Sequence, residues 1–139
     1  MPRREVLFLC TGNSCRSQMA EGLVNYALSS EWLAFSAGTR PSGYVHPLAI
    51  RVMAEVGIDI AGNESSSTEN LRGKTFDLVV TVCDNAAEDC PVWLDSGDVV
   101  HISFPDPAEA TGSEEERITQ FRSVRDDMNG RILPYLGEF

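Results

Sequence analysis

The sequence predicts a single three-layer α/β domain in which helices cover both faces of a four-stranded parallel sheet. Three unbroken, β-rich apolar runs, at residues 6–9, 78–82 and 99–102, indicate strands that are buried on both faces. Helical patterns separate these runs, and strand and helix alternate as they do in α/β folds. The chain has 139 residues, of which 42% are hydrophobic, so residues 1–139 are expected to form one domain.

The first helix is expected directly after the first strand. Its apolar positions recur at helical spacing and are Met19, Leu23 and Tyr26. A weaker apolar run at residues 33–36 then predicts another strand, which completes the set of four.

A second helix is expected after Pro47, because proline is favoured at the first helical position. Its apolar positions are Ile50, Met53 and Val56, and Gly57 is expected to cap its end. The polar, serine-rich residues 63–70 predict a surface loop before the third strand.

The last helix is expected to begin at a capping box formed by Ser113 and Glu116. One apolar stripe follows it, made of Ile118, Phe121, Val124, Met128 and Ile132. Pro134 is expected to end this helix, because proline lacks the N–H that a helix interior uses.

The acidic composition excludes several classes of partner. The net charge of −10 disfavours nucleic acids and anionic membrane surfaces, which basic faces usually bind. The apolar run at residues 6–9 is too short for a signal peptide or a membrane span, so we expect a cytoplasmic protein, and a monomer. In that compartment the four cysteines are more often catalytic, redox-active or metal-binding than parts of a disulfide framework.

The segment between the first strand and the first helix has the pattern of an oxyanion site with a thiol nucleophile. Cys10 and Arg16 are separated by five residues, and loop N–H groups at a helix N-terminus bind tetrahedral anions. Ser17 can donate to the Cys10 sulfur and favour its thiolate. The residues expected to bind the anion are Thr11, Gly12, Asn13, Ser14, Cys15 and Arg16.

Two of these loop residues also have conformational roles. Gly12 is expected to permit a tight turn, and Asn13 to tolerate a left-handed conformation. The alternative interpretation of the whole segment is a buried structural cysteine at a strand end, with Arg16 as a surface charge.

Asp106 follows the last strand much as Cys10 follows the first, and prolines at 105 and 107 hold the chain extended around it. A carboxylic acid placed opposite a thiolate can protonate the oxygen that leaves the attacked centre. The alternative is an ordinary Asp-Pro turn.

Cys83 follows the third strand directly and Cys90 lies seven residues later. Since parallel strands present their carboxyl ends at one edge, Cys10, Cys83 and Asp106 are expected to meet there. A helix would separate Cys83 from Cys90 by about 10 Å, whereas a disulfide needs Cα atoms within about 7 Å. The segment is therefore interpreted as a redox switch that must rearrange. Two buried structural cysteines, or less favourably a zinc site, are the alternatives, and Cys15 is expected to be a packing residue.

The run from Cys10 to Gly22 closely resembles the active-site loop of the thioredoxin-coupled arsenate reductases, which share the low-molecular-weight tyrosine phosphatase fold. The likeness continues through residues 36–38, 57–60, 77–83, 90–91 and 106–108. It implies that Cys10 attacks arsenate held by Arg16, that Asp106 protonates the leaving oxygen, and that Cys83 and Cys90 pass the resulting disulfide outward to thioredoxin. Phosphate and sulfate are expected to compete, and no tightly bound cofactor is expected.

Some members of the family that this chain resembles bind a potassium or sodium ion through residues that match Asn13, Glu21 and Ser36. They also use a threonine and an aspartate after the Ile-Asp-Ile stretch. Here that region reads Asn63-Glu64-Ser65-Ser66, so the aspartate is missing. The sequence therefore leaves open whether the chain binds a potassium or sodium ion.

Two other functions remain as alternatives. A low-molecular-weight tyrosine phosphatase would use Cys10, Arg16 and Asp106 in the same way, but its members usually have proline where this chain has Gln18 and aromatic residues where it has Ala108 and Glu109. A non-enzymatic protein could instead sequester arsenite or a soft metal with Cys10, Cys83 and Cys90. Glutaredoxin with glutathione is the alternative electron donor.

Overall fold

Four parallel strands form the sheet of the computed structural model, which describes residues 3–83 and 98–139. Their order across the sheet is β2-β1-β3-β4. The strands are β1 (Arg4–Cys10), β2 (Trp32–Gly38), β3 (Leu78–Thr81) and β4 (Asp98–His101). The predicted α/β fold with a four-stranded parallel sheet is confirmed.

The described α-helices are α1 (Arg16–Ala27), α2 (Pro47–Ala54) and α3 (Glu114–Glu138), and all three contact one another. Two short 3-10 helices span Thr68–Leu71 and Pro107–Glu109. The predicted capping box starts α3, where Ser113 Oγ accepts from the Glu116 N–H at 3.1 Å. Among these helices none has the length and apolar character that crossing a bilayer requires.

The core surrounds β1. Val6, Leu7, Phe8 and Leu9 are all fully buried. Because successive side chains of a strand point to opposite faces, this burial shows that both faces of the sheet are covered at β1. The end of α3 is tied to the sheet by Trp32, whose ring N–H donates to the Leu136 carbonyl at 3.2 Å.

The prediction that residues 99–102 are buried on both faces is wrong. β4 pairs with β3 at an edge of the sheet, and Val99 is 42% exposed. An apolar run reports strand propensity, whereas the position of a strand in the sheet decides how much of it is covered.

Three details of the helices also differ from the predictions. Tyr26 on α1 is 62% exposed rather than buried, and α2 ends at Ala54, which leaves Val56 exposed and places the left-handed glycine turn at Gly57 beyond the helix. Pro134 lies inside α3 instead of ending it. Leu136, two residues further along, is fully buried, so packing of the last turn outweighs the missing proline N–H.

Each of the two histidines makes a hydrogen bond. His46 is the N-cap of α2, where its Nδ1 accepts from the Leu48 N–H, and His101 is in β4 with its Nδ1 2.7 Å from Thr81 Oγ1. The candidate catalytic residues lie at the carboxyl edge of the sheet, where β1, β3 and β4 end.

Candidate active site

A cleft of about 520 Å³ lies at the carboxyl edge of the sheet. The structure brings together in it four residues that the sequence singled out separately, namely Cys10, Arg16, Cys83 and Asp106. The other residues that line it are Thr11, Gly12, Ser14, Cys15, Ser103, Phe104, Pro105 and Glu109. The structure agrees with the expectation that Cys10, Cys83 and Asp106 meet where the parallel strands end.

Cys10 is 3% exposed, and two donors face its sulfur. The Ser17 hydroxyl is 2.9 Å away and the Asn13 backbone N–H donates at 3.2 Å. Asn13 Nδ2 donates to Ser17 Oγ at 2.8 Å, so the single Ser17 proton is free to point at the sulfur. Both contacts suit a negatively charged sulfur, because a thiolate accepts hydrogen bonds more strongly than a thiol.

The predicted left-handed residue is confirmed and the predicted glycine turn is not. Asn13 has φ 48°, whereas Gly12 is not among the residues with positive φ. A Cβ at Gly12 would lie 3.7 Å from Ser14 Oγ, an ordinary contact. The turn of the loop therefore depends on Asn13.

Arg16 begins α1 and reaches across the cleft. Its guanidinium donates to the Phe104 carbonyl at 3.1 Å and lies 3.5 Å from an oxygen of Asp106. Its buried Nε has no hydrogen-bond partner among the described residues. A buried donor without a partner is costly, and an oxyanion in the cleft is a partner that can satisfy it.

Asp106 caps the short helix Pro107–Glu109, and its Oδ1 accepts from the Ala108 N–H at 3.0 Å. Its side chain is 27% exposed and shares the cleft with Cys10. The fixed backbone between two prolines and the capping bond orient the carboxyl group, as a proton donor to a leaving oxygen requires.

Cys15 is buried, and its thiol points at Asp106 Oδ1 at 3.7 Å. Burial in the first place, and then the Asp106 charge, raise the pKa of Cys15 to about 12. The thiol stays protonated at neutral pH, which agrees with a packing residue rather than a reactant.

Cys83 comes directly after β3 and is 3% exposed. Its sulfur lies 3.5 Å from the hydroxyl of Thr11, the neighbour of Cys10. Leu9 pairs with Thr81 across β1 and β3, so the two cysteines leave neighbouring strands. Cys90, and with it the predicted redox switch between Cys83 and Cys90, lies outside the described residues.

A polar cluster supports the loop from behind. Asn13 Oδ1 accepts from Gln18 Nε2 at 3.1 Å, and Glu21 accepts from Ser36 Oγ at 3.3 Å and from Asn63 Nδ2 at 3.0 Å. Burial raises the pKa of Glu21 to about 7. Asn13, Glu21 and Ser36, the residues expected around a cation, thus lie in one cluster together with two side-chain amides. Within residues 3–83 and 98–139 no cluster of three His, Cys, Asp or Glu side chains is arranged to hold a metal ion.

Four residues that shape this loop carry no local signal of that role in the sequence, namely Gln18, Gly38, Ser65 and Ser66. Residues 63–66 were predicted to be surface loop, yet Ser65 Oγ donates to the Gly12 carbonyl at 3.0 Å and the Ser66 N–H to Asn13 Oδ1 at 2.7 Å. Gln18 was noted only as a departure from phosphatases. A Cβ on Gly38 would lie 2.5 Å from the Thr11 carbonyl oxygen, so the loop requires glycine there.

Comparison with known proteins agrees with this geometry. The profile of the low molecular weight phosphotyrosine protein phosphatase family matches residues 5–136. An arsenate reductase of Halalkalibacterium halodurans is 46% identical over 97% of this chain and 96% of its own, and one of Bacillus subtilis is 44% identical over the same shares. An arsenate reductase solved in its phosphate-binding state superposes with a TM-score of 0.83 at 32% identity, covering 97% of this chain and 98% of its own.

A tyrosine phosphatase from T. tengcongensis superposes less closely, with a TM-score of 0.78 at 26% identity over 98% of this chain and 99% of its own. The same fold therefore serves both chemistries. The family match covers nearly the whole chain and includes both the anion loop and the aspartate opposite it. The protein belongs to the low molecular weight phosphotyrosine protein phosphatase family.

Proposed function

We propose that this protein reduces arsenate to arsenite through a relay of Cys10, Cys83 and Cys90 and takes its electrons from thioredoxin. The observation that carries the proposal is the buried thiol of Cys83, which lies in the cleft of Cys10 and 3.5 Å from the Thr11 hydroxyl, whereas the Cys15 thiol in the same cleft stays protonated. Ester hydrolysis through a covalent cysteine requires one thiol. Reduction of arsenic by two electrons requires two, because two thiols give up those electrons when they form a disulfide.

In the first step, the loop N–H groups and Arg16 hold the oxygens of arsenate while the Cys10 thiolate attacks arsenic. A sulfur–arsenic bond forms, and one arsenic–oxygen bond breaks. Asp106 gives its proton to the departing oxygen, which leaves as water. Ser17 and the Asn13 N–H stabilise the thiolate before the attack.

In the second step, the Cys83 thiolate attacks the Cys10 sulfur. The electron pair of the sulfur–arsenic bond passes to arsenic, which leaves as arsenite, and Cys10 and Cys83 are oxidised to a disulfide. Cys90 then attacks Cys83 and releases the Cys10 thiolate. A thioredoxin dithiol reduces the Cys83–Cys90 disulfide, so that one thioredoxin is oxidised for each arsenate reduced. The relay needs no bound cofactor, and thioredoxin as donor implies action in the cytoplasm.

The net charge of −10 does not prevent binding of an anion. A unit charge about 20 Å away in water repels another by roughly 0.2 kcal/mol, and salt reduces this further. The Arg16 guanidinium at about 4 Å in a partly dry site contributes roughly 4 kcal/mol on the same scale. The donors of the loop therefore dominate the binding energy.

The proposal is tested by arsenate-dependent NADPH oxidation with thioredoxin and thioredoxin reductase. Wild-type protein is expected to turn over many times. Cys83→Ser is expected to release no arsenite, whereas Cys90→Ser should release about one arsenite per protein and stop as a Cys10–Cys83 disulfide. Replacing thioredoxin by glutaredoxin and glutathione tests the electron donor, and equal turnover with that pair contradicts thioredoxin coupling.

Hydrolysis of p-nitrophenyl phosphate is the matched control, because it uses Cys10, Arg16 and Asp106 but neither of the other two thiols. Both serine variants are expected to retain wild-type hydrolysis. Full reductase turnover in Cys90→Ser would overturn the three-cysteine relay. Efficient phosphotyrosine hydrolysis without arsenate turnover would make the protein a phosphatase, and stoichiometric arsenite binding without turnover would make it a sequestering protein.

A further inference from the structure

The polar cluster behind the loop consists of Asn13, Gln18, Glu21, Ser36 and Asn63, and the proposed reaction uses only Asn13 directly. Gln18 is fully buried although it is polar. Buried amides are retained where their hydrogen bonds are satisfied. What this cluster does for the loop therefore needs an explanation.

Above its raised pKa of about 7, Glu21 is a carboxylate, and it then sets one direction for the hydrogen bonds of the cluster. A carboxylate accepts but does not donate, so the Asn63 amide turns its Nδ2 to Glu21 at 3.0 Å, and that nitrogen also donates to Gln18 Oε1 at 3.2 Å. Because Gln18 Oε1 accepts from Asn63, Gln18 Nε2 is on the opposite side, where it donates to Asn13 Oδ1 at 3.1 Å and to the Glu64 carbonyl at 2.9 Å.

The same order of donors and acceptors extends through Asn13 and Ser17 to the Cys10 sulfur. Because Asn13 Oδ1 accepts from Gln18, Asn13 Nδ2 faces Ser17 Oγ at 2.8 Å, and the Ser17 proton is left for Cys10 at 2.9 Å. A reversed Asn13 amide would place an acceptor against Ser17 and draw its proton away from the sulfur. Gln18, held by Asn63, and the Ser66 N–H at 2.7 Å together fix the Asn13 amide in the orientation that leaves the Ser17 proton for Cys10.

A monovalent cation does not fit the residues as they are placed. Both acceptor positions of Asn13 Oδ1 are used, by Gln18 Nε2 and by the Ser66 N–H at 2.7 Å. The Glu21 oxygens accept from Ser36 and Asn63. A cation requires free oxygens around it, whereas here N–H donors from two amides point at them.

We propose that the Gln18 and Asn63 side chains are positioning residues for Cys10 that take the place of a monovalent cation. Partially positive amide N–H groups hold the Asn13 and Glu21 oxygens as an ion would. This inference rests on the proposed function only in taking Cys10 as the nucleophile. It predicts that the thiolate is prepared without potassium or sodium.

The test is the rate at which iodoacetamide alkylates Cys10, followed by mass spectrometry of the Cys10 peptide from pH 5 to 9. It requires neither arsenate nor thioredoxin, so its failure is distinct from failure of the reductase proposal. The wild-type rate is expected to be the same in potassium, sodium and choline chloride at equal ionic strength. A saturable increase of threefold or more with potassium overturns the inference, and this measurement needs no variant to fold.

Asn63→Ala and the nearly isosteric Gln18→Met remove the amides. Losing one oriented hydrogen bond of about 1 kcal/mol corresponds to roughly a fivefold slower alkylation below the pH at which the rate levels off. The half-maximal rate should move to higher pH, a change that a purely structural role would not produce. Asn70→Ala, at an exposed asparagine of the same connection, is the control and should match wild type.

Asn63→Asp is the sharpest variant, because it replaces the donor by a second carboxylate beside Glu21. Alkylation is expected to be slow in choline chloride and to recover in potassium chloride, which can bridge the two carboxylates. Melting temperatures in both salts show that each variant is folded. Wild-type alkylation profiles in folded Asn63→Ala and Gln18→Met refute the positioning role.

Discussion

Replacing Ser17 by alanine tests the link between the loop and the reactivity of Cys10. Ser17 is fully buried with its hydroxyl 2.9 Å from the sulfur, so water cannot take its place. A hydrogen bond to a charged group contributes about 1.5 to 3 kcal/mol. The Asn13 N–H at 3.2 Å remains as a second donor, which places the expected loss at the lower end, about 1.5 to 2 kcal/mol.

At 1.36 kcal/mol for each factor of ten, this loss corresponds to about 10- to 30-fold slower alkylation of Cys10 at neutral pH. Arsenate turnover at neutral pH should fall by a factor of the same order.

Iodoacetamide alkylation under pseudo-first-order conditions measures this rate, and the exposed Ser29→Ala supplies a matched serine control. Circular dichroism confirms that the variant is folded. A Ser17→Ala rate within a factor of two of wild type refutes the reasoning, because the contact would then contribute nothing to the reactivity of Cys10.

Three further outcomes are expected. Asp106→Asn retains the cap on Ala108 but cannot supply a proton, so phosphate ester hydrolysis and arsenate turnover should fall by about 10²- to 10⁴-fold, and unchanged turnover contradicts its role as the acid. Gly38→Ala should lower the free energy of unfolding in urea by about 1 to 3 kcal/mol, since its Cβ would lie 2.5 Å from the Thr11 carbonyl oxygen; Gly62→Ala, where the Cβ meets nothing, is the control. Cys15, with a pKa of about 12, should remain unmodified at pH 8 when peptide mapping shows Cys10 fully alkylated, and equal modification contradicts its burial as a thiol.

The position of the chemistry could be predicted because it depends on short-range patterns. An apolar run followed by Cys10, five residues and Arg16 indicates a strand, a loop and a helix by local propensity alone. Parallel strands then bring their carboxyl ends to one edge, so the meeting of Cys10 with Asp106 follows from topology. Both expectations agree with the structure.

The conformation behind the loop could not be predicted in this way. Asn63 lies in a polar stretch that is indistinguishable by composition from a surface loop, yet its amide contacts Glu21 and Gln18. Likewise, the apolar run at 99–102 gives no sign that β4 is an exposed edge. Such features depend on which segments pack together, and periodicity along the chain carries no information about that.

The sequence by itself determined the order of strands and helices and the places of Cys10, Arg16 and Asp106 at one edge of the sheet, because each rests on residue types at fixed local spacing. Only the tertiary structure decided that Thr11 touches Cys83, that Gly38 must lack a side chain, and that the Asn63 amide donates to Gln18 and Glu21. These contacts join residues far apart in the chain. Their hydrogen bonds and close approaches exist only once the sheet, α1 and the segment at 63–66 are packed against one another.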